Sequence, residues 1–66
     1  MKLTRKSIFS GKETTRDLPI TVNEIMRWQS GEYIRDVWPD LDPYDQEWLI
    51  SGLTNEEQDE LFNKED

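Results

Sequence analysis

Residues 42–52 constrain the fold more than any other stretch, because they define a short helix whose apolar residues lie on more than one side. Asp42 suits the N-cap, and Pro43 suits the first helical position, where its missing N–H removes no hydrogen bond. Gly52 suits the left-handed conformation that ends many helices. The Trp-Leu-Ile run at residues 48–50 points in directions about 100° apart. Such a run must be covered from more than one side, so this helix is predicted to lie at the centre of the core.

A chain of 66 residues supports one small domain with a small core. There is no cysteine and no histidine, which excludes disulfides, thiolate nucleophiles and zinc sites built from these residues. Three tryptophans, two tyrosines and two phenylalanines are therefore expected to supply much of the buried surface. No apolar run suggests a signal peptide or a membrane span.

The N-terminal part, residues 2–18, is predicted to form a two-stranded β-hairpin. Its threonines and the β-branched Ile8 favour strands, and Gly11 suits a turn that needs a positive φ. The turn is placed at residues 10–12, so that Ile8 and Phe9 end the first strand. Leu3, Ile8 or Phe9 is expected to contact the central helix, and Phe9 is expected to lie in the core. Pro19 ends the second strand.

Residues 20–25 carry the clearest local signal in the chain. Thr21 followed three residues later by Glu24 is a capping box, and Ile20 with Ile25 is a hydrophobic staple. A helix is predicted over residues 22–30, ending at Gly31. Its buried face is predicted to consist of Val22, Ile25, Met26 and Gln29, extended by Trp28.

Further helices are predicted on both sides of the central one. Residues 32–37 gather Tyr33, Ile34, Val37 and Trp38 on one side of a helical segment that Pro39 ends. Residues 53–57 repeat the capping-box pattern and start a last helix over residues 55–62, followed by a frayed tail at 63–66. The fold class is α+β: one domain, in which an N-terminal hairpin (about 2–18) packs on three or four short helices (about 21–62).

Charge is distributed unevenly along the chain. Residues 1–16 contain five basic side chains and one acidic, whereas residues 17–66 contain three basic and fourteen acidic. The overall net charge of −7 therefore combines a basic end with an acidic body. Such an asymmetry influences solubility and the choice of partner rather than the fold.

Catalytic and metal-binding functions find little support. The serines have no histidine to activate them, and the carboxylates of the last helix have little around them to raise a pKa. A calcium loop starting at Asp40 would place Tyr44 at position five and Asp45 at position six, where a glycine makes the turn. It would place Ser51 at position twelve, where a bidentate glutamate is required. We therefore expect a protein that is not an enzyme and that uses no cofactor or metal.

The acidic body offers the leading hypothesis, a surface that binds a basic region of another protein. Carboxylates on a compact helical unit would attract a cationic partner, and the affinity would fall with salt. The same charge also serves solubility alone, which is a competing explanation. The residues expected on this surface are Asp36, Asp40, Asp45, Glu47, Glu56, Glu57, Asp59 and Glu60.

Two alternatives stay open. The hairpin is a possible nucleic-acid contact through Lys2, Arg5, Lys6, Lys12 and Arg16, although the net charge of the chain opposes phosphate. The third hypothesis is a structural or assembly protein, either monomeric or a homodimer joined at the hairpin edge. Independently, an exposed Trp28, Tyr33 or Trp38 would anchor a partner or a second copy.

The chain resembles a group of short acidic bacteriophage proteins that have no established activity. The resemblance rests on Leu3-Thr4-Arg5-Lys6-Ser7, Phe9-Ser10-Gly11-Lys12, Leu18-Pro19-Ile20-Thr21, Trp28-Gln29-Ser30-Gly31-Glu32, Pro39-Asp40-Leu41, Trp48-Leu49-Ile50-Ser51-Gly52 and Thr54-Asn55-Glu56-Glu57. It implies an accessory protein made in the cytoplasm of a bacterial host, either an inhibitor of a host factor or defence system or a minor virion component. It assigns no site residues.

Overall fold

The fold is α+β, as predicted: an antiparallel hairpin is followed by four short helices. The computed structural model of the chain describes residues 1–62, and the predicted frayed tail at 63–66 lies outside the described residues. The elements are β1 (Lys2–Lys6), β2 (Glu13–Asp17), α1 (Val22–Gln29), α2 (Ile34–Val37), α3 (Pro43–Ser51) and α4 (Asn55–Phe62).

The strands of the hairpin are shorter than predicted, and a six-residue loop at 7–12 joins them. Ser7 organises this loop, because its Oγ accepts hydrogen bonds from the backbone N–H groups of Phe9 (3.1 Å) and Ser10 (3.2 Å). Its carbonyl also accepts from Gly11, which has the expected positive φ of 76°. Ser7 itself is buried, although it is polar.

Of the three hairpin residues expected near the central helix, Leu3 packs against the core, whereas the prediction for Ile8 and Phe9 was wrong. Ile8 is 79% exposed and Phe9 is 55% exposed. The reason is that the loop begins at Ser7, so these two side chains follow the geometry of a turn and not the alternation of a strand. The backbone N–H of Ile8 is nevertheless fixed, since it donates to the carbonyl of Ser51 at 3.1 Å.

Helix α3 lies at the centre of the core and has the predicted ends. The Asp42 side chain accepts from the N–H of Tyr44 at 2.8 Å, Pro43 is in the first turn, and Gly52 is left-handed with φ 78°. Trp48 has no exposed surface, but Ile50 is 52% exposed, so the prediction that the whole run is covered was wrong. Strand β1 and helix α4 contact α3, and the side chain of Ile50 points to solvent.

The core combines residues from the hairpin, from α1, α2 and α3, and from the segments between them. The central cluster is buried, and partly buried side chains from the hairpin, α1 and α2 pack against it. The cluster is formed by Leu18, Ile20, Val37, Trp38, Trp48 and Leu49, with Leu3, Ile25, Trp28, Ile34 and Leu41 around it.

The capping box of α1 is confirmed, but its buried face is not the predicted one. Val22 and Met26 are exposed, whereas Ile25 and Trp28 face the core. The side of α1 that is covered is the side that meets α2, where Trp28 contacts Trp38 edge to face with ring centroids 5.6 Å apart. The position of α2 therefore decides which part of the apolar side of α1 is covered.

The remaining helices differ in how closely they follow the prediction. Helix α2 begins at Ile34, because Tyr33 is extended (φ −69°, ψ 142°) and serves as its N-cap with an exposed ring. Helix α4 has the predicted bounds, and its capping box is formed: Thr54 Oγ1 accepts from the N–H of Glu57 at 3.2 Å. The Glu57 carboxylate accepts from the N–H of Thr54 at 3.0 Å.

Candidate functional site

Arg16 connects the hairpin to two helices. Its guanidinium donates to Asp45 of α3 at 2.7 Å and to the side-chain oxygen of Asn55 of α4 at 2.8 Å. The same group lies 5.2 Å from the centre of the Trp48 ring, in the position of a cation–π contact. Arg16 was predicted as a nucleic-acid contact and Asp45 as part of the partner surface, and the structure pairs the two with each other.

The outer face of the hairpin carries both signs of charge. Alternation along the strands turns Arg5 and Arg16 towards the body, half-buried, and leaves the other side exposed. At the centre of the exposed face, the hydroxyls of Thr4 and Thr15 are 2.8 Å apart. The exposed cross-strand neighbours are Lys2 opposite Asp17, Thr4 opposite Thr15, and Lys6 opposite Glu13.

The five basic residues proposed for nucleic-acid contact therefore do not form one surface. Lys2, Lys6 and Lys12 are exposed, while Arg5 and Arg16 lie on the inner side of the hairpin. Lys2 and Lys6 each have a carboxylate opposite them on the neighbouring strand. Of the three exposed lysines of the hairpin, Lys12 in the loop is the one without such a neighbour.

The part of the chain from the end of α2 to the end of α4 carries charge of one sign. Residues 36–62 contain nine carboxylates and no lysine or arginine. Three of the eight residues proposed for the partner surface have an internal contact: Asp45 with Arg16, Glu57 with the start of α4, and Asp59 with the Tyr44 hydroxyl. Of the others, Glu47 is half-buried, and the exposed ones are Asp36, Asp40, Glu56 and Glu60.

Glu57 is held in its charged form. The Ser10 hydroxyl of the hairpin loop, followed by the backbone N–H of Thr54, lowers the pKa of Glu57 from its ordinary value of 4.5. The Ser7 hydroxyl acts in the same direction. Glu57 thus caps α4, and the hydroxyls of the hairpin loop favour its charged form.

A groove of about 370 Å³ opens between α3 and α4. Its sides are mostly apolar, and Glu47 adds a carboxylate at the edge. The buried Gln58 holds the two helices together, because its amide donates to the carbonyls of Tyr44 (2.9 Å) and Leu53 (3.0 Å). The groove is lined by Pro43, Tyr44, Glu47, Gln58 and Phe62.

The Tyr44 ring is fixed across the groove by its hydroxyl, which donates to the carboxylate of Asp59. This hydrogen bond is the main reason why the pKa of Tyr44 is raised above its ordinary value of 10.0. The phenol therefore stays protonated, and the aromatic wall of the groove is held in one orientation beside a negative charge.

A smaller cavity of about 200 Å³ lies where Pro19 and Glu24 meet α2 and the turn after it. The Trp38 indole N–H nearby is buried, with no acceptor at hydrogen-bonding distance within residues 1–62. The Glu24 carboxylate is already engaged by the backbone N–H of Thr21, which is the main cause of its lowered pKa; the Trp38 indole contributes less. This carboxylate belongs to the α1 cap, and the second carboxylate that lines the cavity is that of the exposed Asp40.

Within residues 1–62, no group of three or more acidic side chains is placed to hold a metal ion. No helix in the same part of the chain has the length and apolar character needed to cross a membrane. No protein-family model, curated protein or solved structure matches this chain. The candidate functional features are the acidic helical surface, which consists of the carboxylates of residues 36–62, and the groove between α3 and α4.

Sequence reasoning identified the acidic residues but missed the groove and the position of Arg16. The groove depends on the first turn of α3 lying beside Phe62, the last residue of α4, and no local pattern encodes that contact. The sequence held a weak signal for the position of Arg16, because alternation along β2 places Thr14 and Arg16 on the same side. In the structure, Thr14 accepts a 2.7 Å hydrogen bond from the indole of Trp48.

Proposed function

We propose that this protein is a small, non-enzymatic accessory protein of phage type that binds another protein through its acidic helical surface. The observation that carries the proposal is the stretch 36–62, in which nine carboxylates occur without any basic residue. In the described structure, Arg16 of the hairpin meets this stretch at Asp45 and Asn55, and Asp36, Asp40, Glu56 and Glu60 are exposed to solvent.

The partner that fits this surface is a protein with a basic patch. Opposite charges accelerate encounter and fix orientation, and the effect weakens as salt screens it. Charge by itself gives little affinity, and stable interfaces add aromatic or apolar contacts at their centre. The groove supplies such contacts through Tyr44 and Phe62, beside Glu47.

The resemblance to short acidic phage proteins supports a bacterial setting for this binding. In that setting a basic host factor, such as a protein that itself handles nucleic acid, is a suitable target, because a carboxylate surface competes for the groove that phosphates occupy. The proposed site of action is the cytoplasm of the bacterial host, and the proposed effect is inhibition of the bound factor.

The nucleic-acid alternative receives less support from the geometry. Arg16 is engaged by Asp45 and Asn55, and Lys2 and Lys6 face carboxylates across the hairpin. A gel-shift experiment at low salt with single-stranded and double-stranded DNA tests it, and we expect no shift. A shift that disappears in a Lys2→Gln/Lys6→Gln/Lys12→Gln variant would favour the hairpin instead.

The test of the main proposal is capture from bacterial lysate on the immobilised protein, followed by mass spectrometry. We expect a basic partner that is retained at low salt and released at high salt. Glu56→Gln/Glu60→Gln removes two exposed charges from α4 and is expected to weaken retention. The matched control, Glu13→Gln/Asp17→Asn, removes two charges from the hairpin and should retain the partner.

Two outcomes would overturn the proposal. One is that no protein is retained at low salt. The other is that the same proteins are retained equally by the α4 variant and by the unmodified chain, which would show that the acidic helical surface is not the binding site.

A further inference from the structure

The loop between the strands presents two large apolar side chains to solvent in a fixed arrangement. This loop, residues 7–12, is the hairpin tip. Ile8 and Phe9 are its exposed apolar residues. The backbone around them is held by Ser7, and the N–H of Ile8 is bonded to Ser51 at the end of α3. Adjacent apolar side chains exposed on a fixed backbone form a small apolar patch, and contiguous patches of this kind mark contact surfaces.

The α3–α4 groove has the complementary character. Its apolar walls are formed by Pro43, Tyr44 and Phe62, and the ring of Phe62 is 61% exposed. Carboxylates stand beside these walls, since Glu47 lines the groove and Asp59 holds the Tyr44 hydroxyl. An apolar side chain flanked by positive charge suits such a groove.

The hairpin tip has this composition. Phe9 and Ile8 lie between Lys6 and Lys12 along the chain, and both lysines are exposed. The groove therefore matches a surface that the same chain presents elsewhere, in charge as well as in apolar character.

The two surfaces of one chain lie at opposite ends of α3. The tip adjoins Ser51, the last residue of the helix, whereas Pro43 and Tyr44 belong to its first turn. At a rise of about 1.5 Å per residue, roughly 12 Å separate the two ends. A tip consequently cannot occupy the groove of its own chain, but it is free to enter the groove of another.

We propose that the hairpin tip of one copy docks into the α3–α4 groove of a second copy, with Phe9 between Tyr44 and Phe62. Lys12 then lies near Glu47 of the second copy. This contact is heterologous: each chain uses two different surfaces, so further copies add until a ring closes or an open chain forms.

Both chains carry a net charge of −7, which opposes their approach. At physiological ionic strength the Debye length is about 8 Å, so repulsion between whole chains is screened while groups in contact are not. A loop in a groove buries less than the roughly 1,200 Å² of a standard stable interface. The association is accordingly expected to be weak and concentration-dependent. It does not depend on the proposed function, because it concerns the purified chain alone.

Analytical ultracentrifugation of the purified protein over a wide range of concentration tests the proposal. Phe9→Ser removes the tip anchor, and Phe62→Ser removes a wall of the groove. We expect the mass of the unmodified protein to rise with concentration and each variant alone to stay monomeric. An equimolar mixture of the two variants is expected to form a dimer and no larger species, because it contains one intact tip and one intact groove.

Met26→Ser is the matched control, since it removes an exposed apolar side chain from α1, outside both surfaces. It should associate as the unmodified protein does, and far-UV circular dichroism should show that all three variants keep the fold. The proposal is overturned by a monomer mass that is independent of concentration, by variants that associate normally, or by a mixture of folded variants that stays monomeric. Any of these results leaves the lysate experiment unaffected, so the two proposals fail separately.

Discussion

Arg16 of β2 and Asp45 of α3 form an ion pair of 2.7 Å that fastens the hairpin to the central helix. Each side chain is about three-quarters shielded from solvent, with 22% and 26% of its surface exposed. The guanidinium also covers the indole of Trp48. The pair therefore contributes to the junction between the sheet and the helices, and not to a binding surface.

This arrangement predicts that Arg16→Gln and Asp45→Asn are not additive. A double-mutant cycle should give a coupling free energy of about 1–2 kcal/mol, above that of exposed pairs and below that of fully buried ones. Urea unfolding followed by circular dichroism measures it. The more exposed pair Arg27–Glu32 serves as control and should show a smaller coupling. Additive effects at Arg16 and Asp45 would mean that the hairpin is held by other contacts.

Trp48→Ala should remove most of the stability of the domain. The side chain is fully buried, and its indole N–H donates to Thr14 at 2.7 Å, so the substitution leaves both a cavity and an unpaired hydroxyl. A loss of about 3–5 kcal/mol is expected, close to the whole stability of a small domain. Ile50→Ala in the same helix is the control and should change the free energy of unfolding by about 0.5 kcal/mol or less. An unchanged unfolding midpoint for Trp48→Ala would place the core elsewhere.

Gly52→Ala should be much more destabilising than Gly11→Ala, although the two glycines have nearly equal φ values of 78° and 76°. At either position, a Cβ in the left-handed region costs about 1–2 kcal/mol. At Gly52 the Cβ would also meet the carbonyl of Lys6 and lie 3.0 Å from Ser7 N, whereas at Gly11 the nearest atom is 3.7 Å away. Thermal unfolding of both variants gives the comparison. Equal losses of stability in the two variants would show that the end of α3 can move away from the end of β1 at no cost in free energy.

Acid should weaken the fold through the capping glutamates. Because the pKa of Glu57 is lower in the folded chain than its ordinary 4.5, its stabilising effect is complete above that pH and is lost as the pH falls through the lower folded value. Glu57→Gln keeps a capping acceptor but removes the charge, so its stability should fall less steeply below pH 4.5. Some dependence remains, since the pKa values of Glu24 and Glu32 are lowered as well.

Urea unfolding at a series of acidic pH values measures this dependence. Glu60→Gln is the control, because it removes a charge from the same helix without touching the cap. A Glu57→Gln variant whose stability falls as steeply as that of the unmodified protein would assign the acid sensitivity to other groups.

The starts of α1, α3 and α4 could be predicted from the sequence because each depends on contacts within four residues. Thr21 with Glu24, and Thr54 with Glu57, satisfy free N–H groups of the turn they begin, whatever lies around them. Asp42 caps α3 in the same local way. The acidic composition of the candidate surface was equally visible, since charge is a property of the residues themselves.

The tertiary structure alone decided which apolar side chains are covered and which charges remain free. Ile8, Met26 and Ile50 have the same apolar character as the buried Leu49, and they differ only in whether another element lies against them. Arg16 became part of the core boundary because Asp45 and Trp48 meet it from a distant part of the chain. The sequence by itself determined where α1, α3 and α4 begin and what charge the surface carries. Burial and ion pairing depend on contacts between segments far apart in the chain, and only the folded arrangement brings those together.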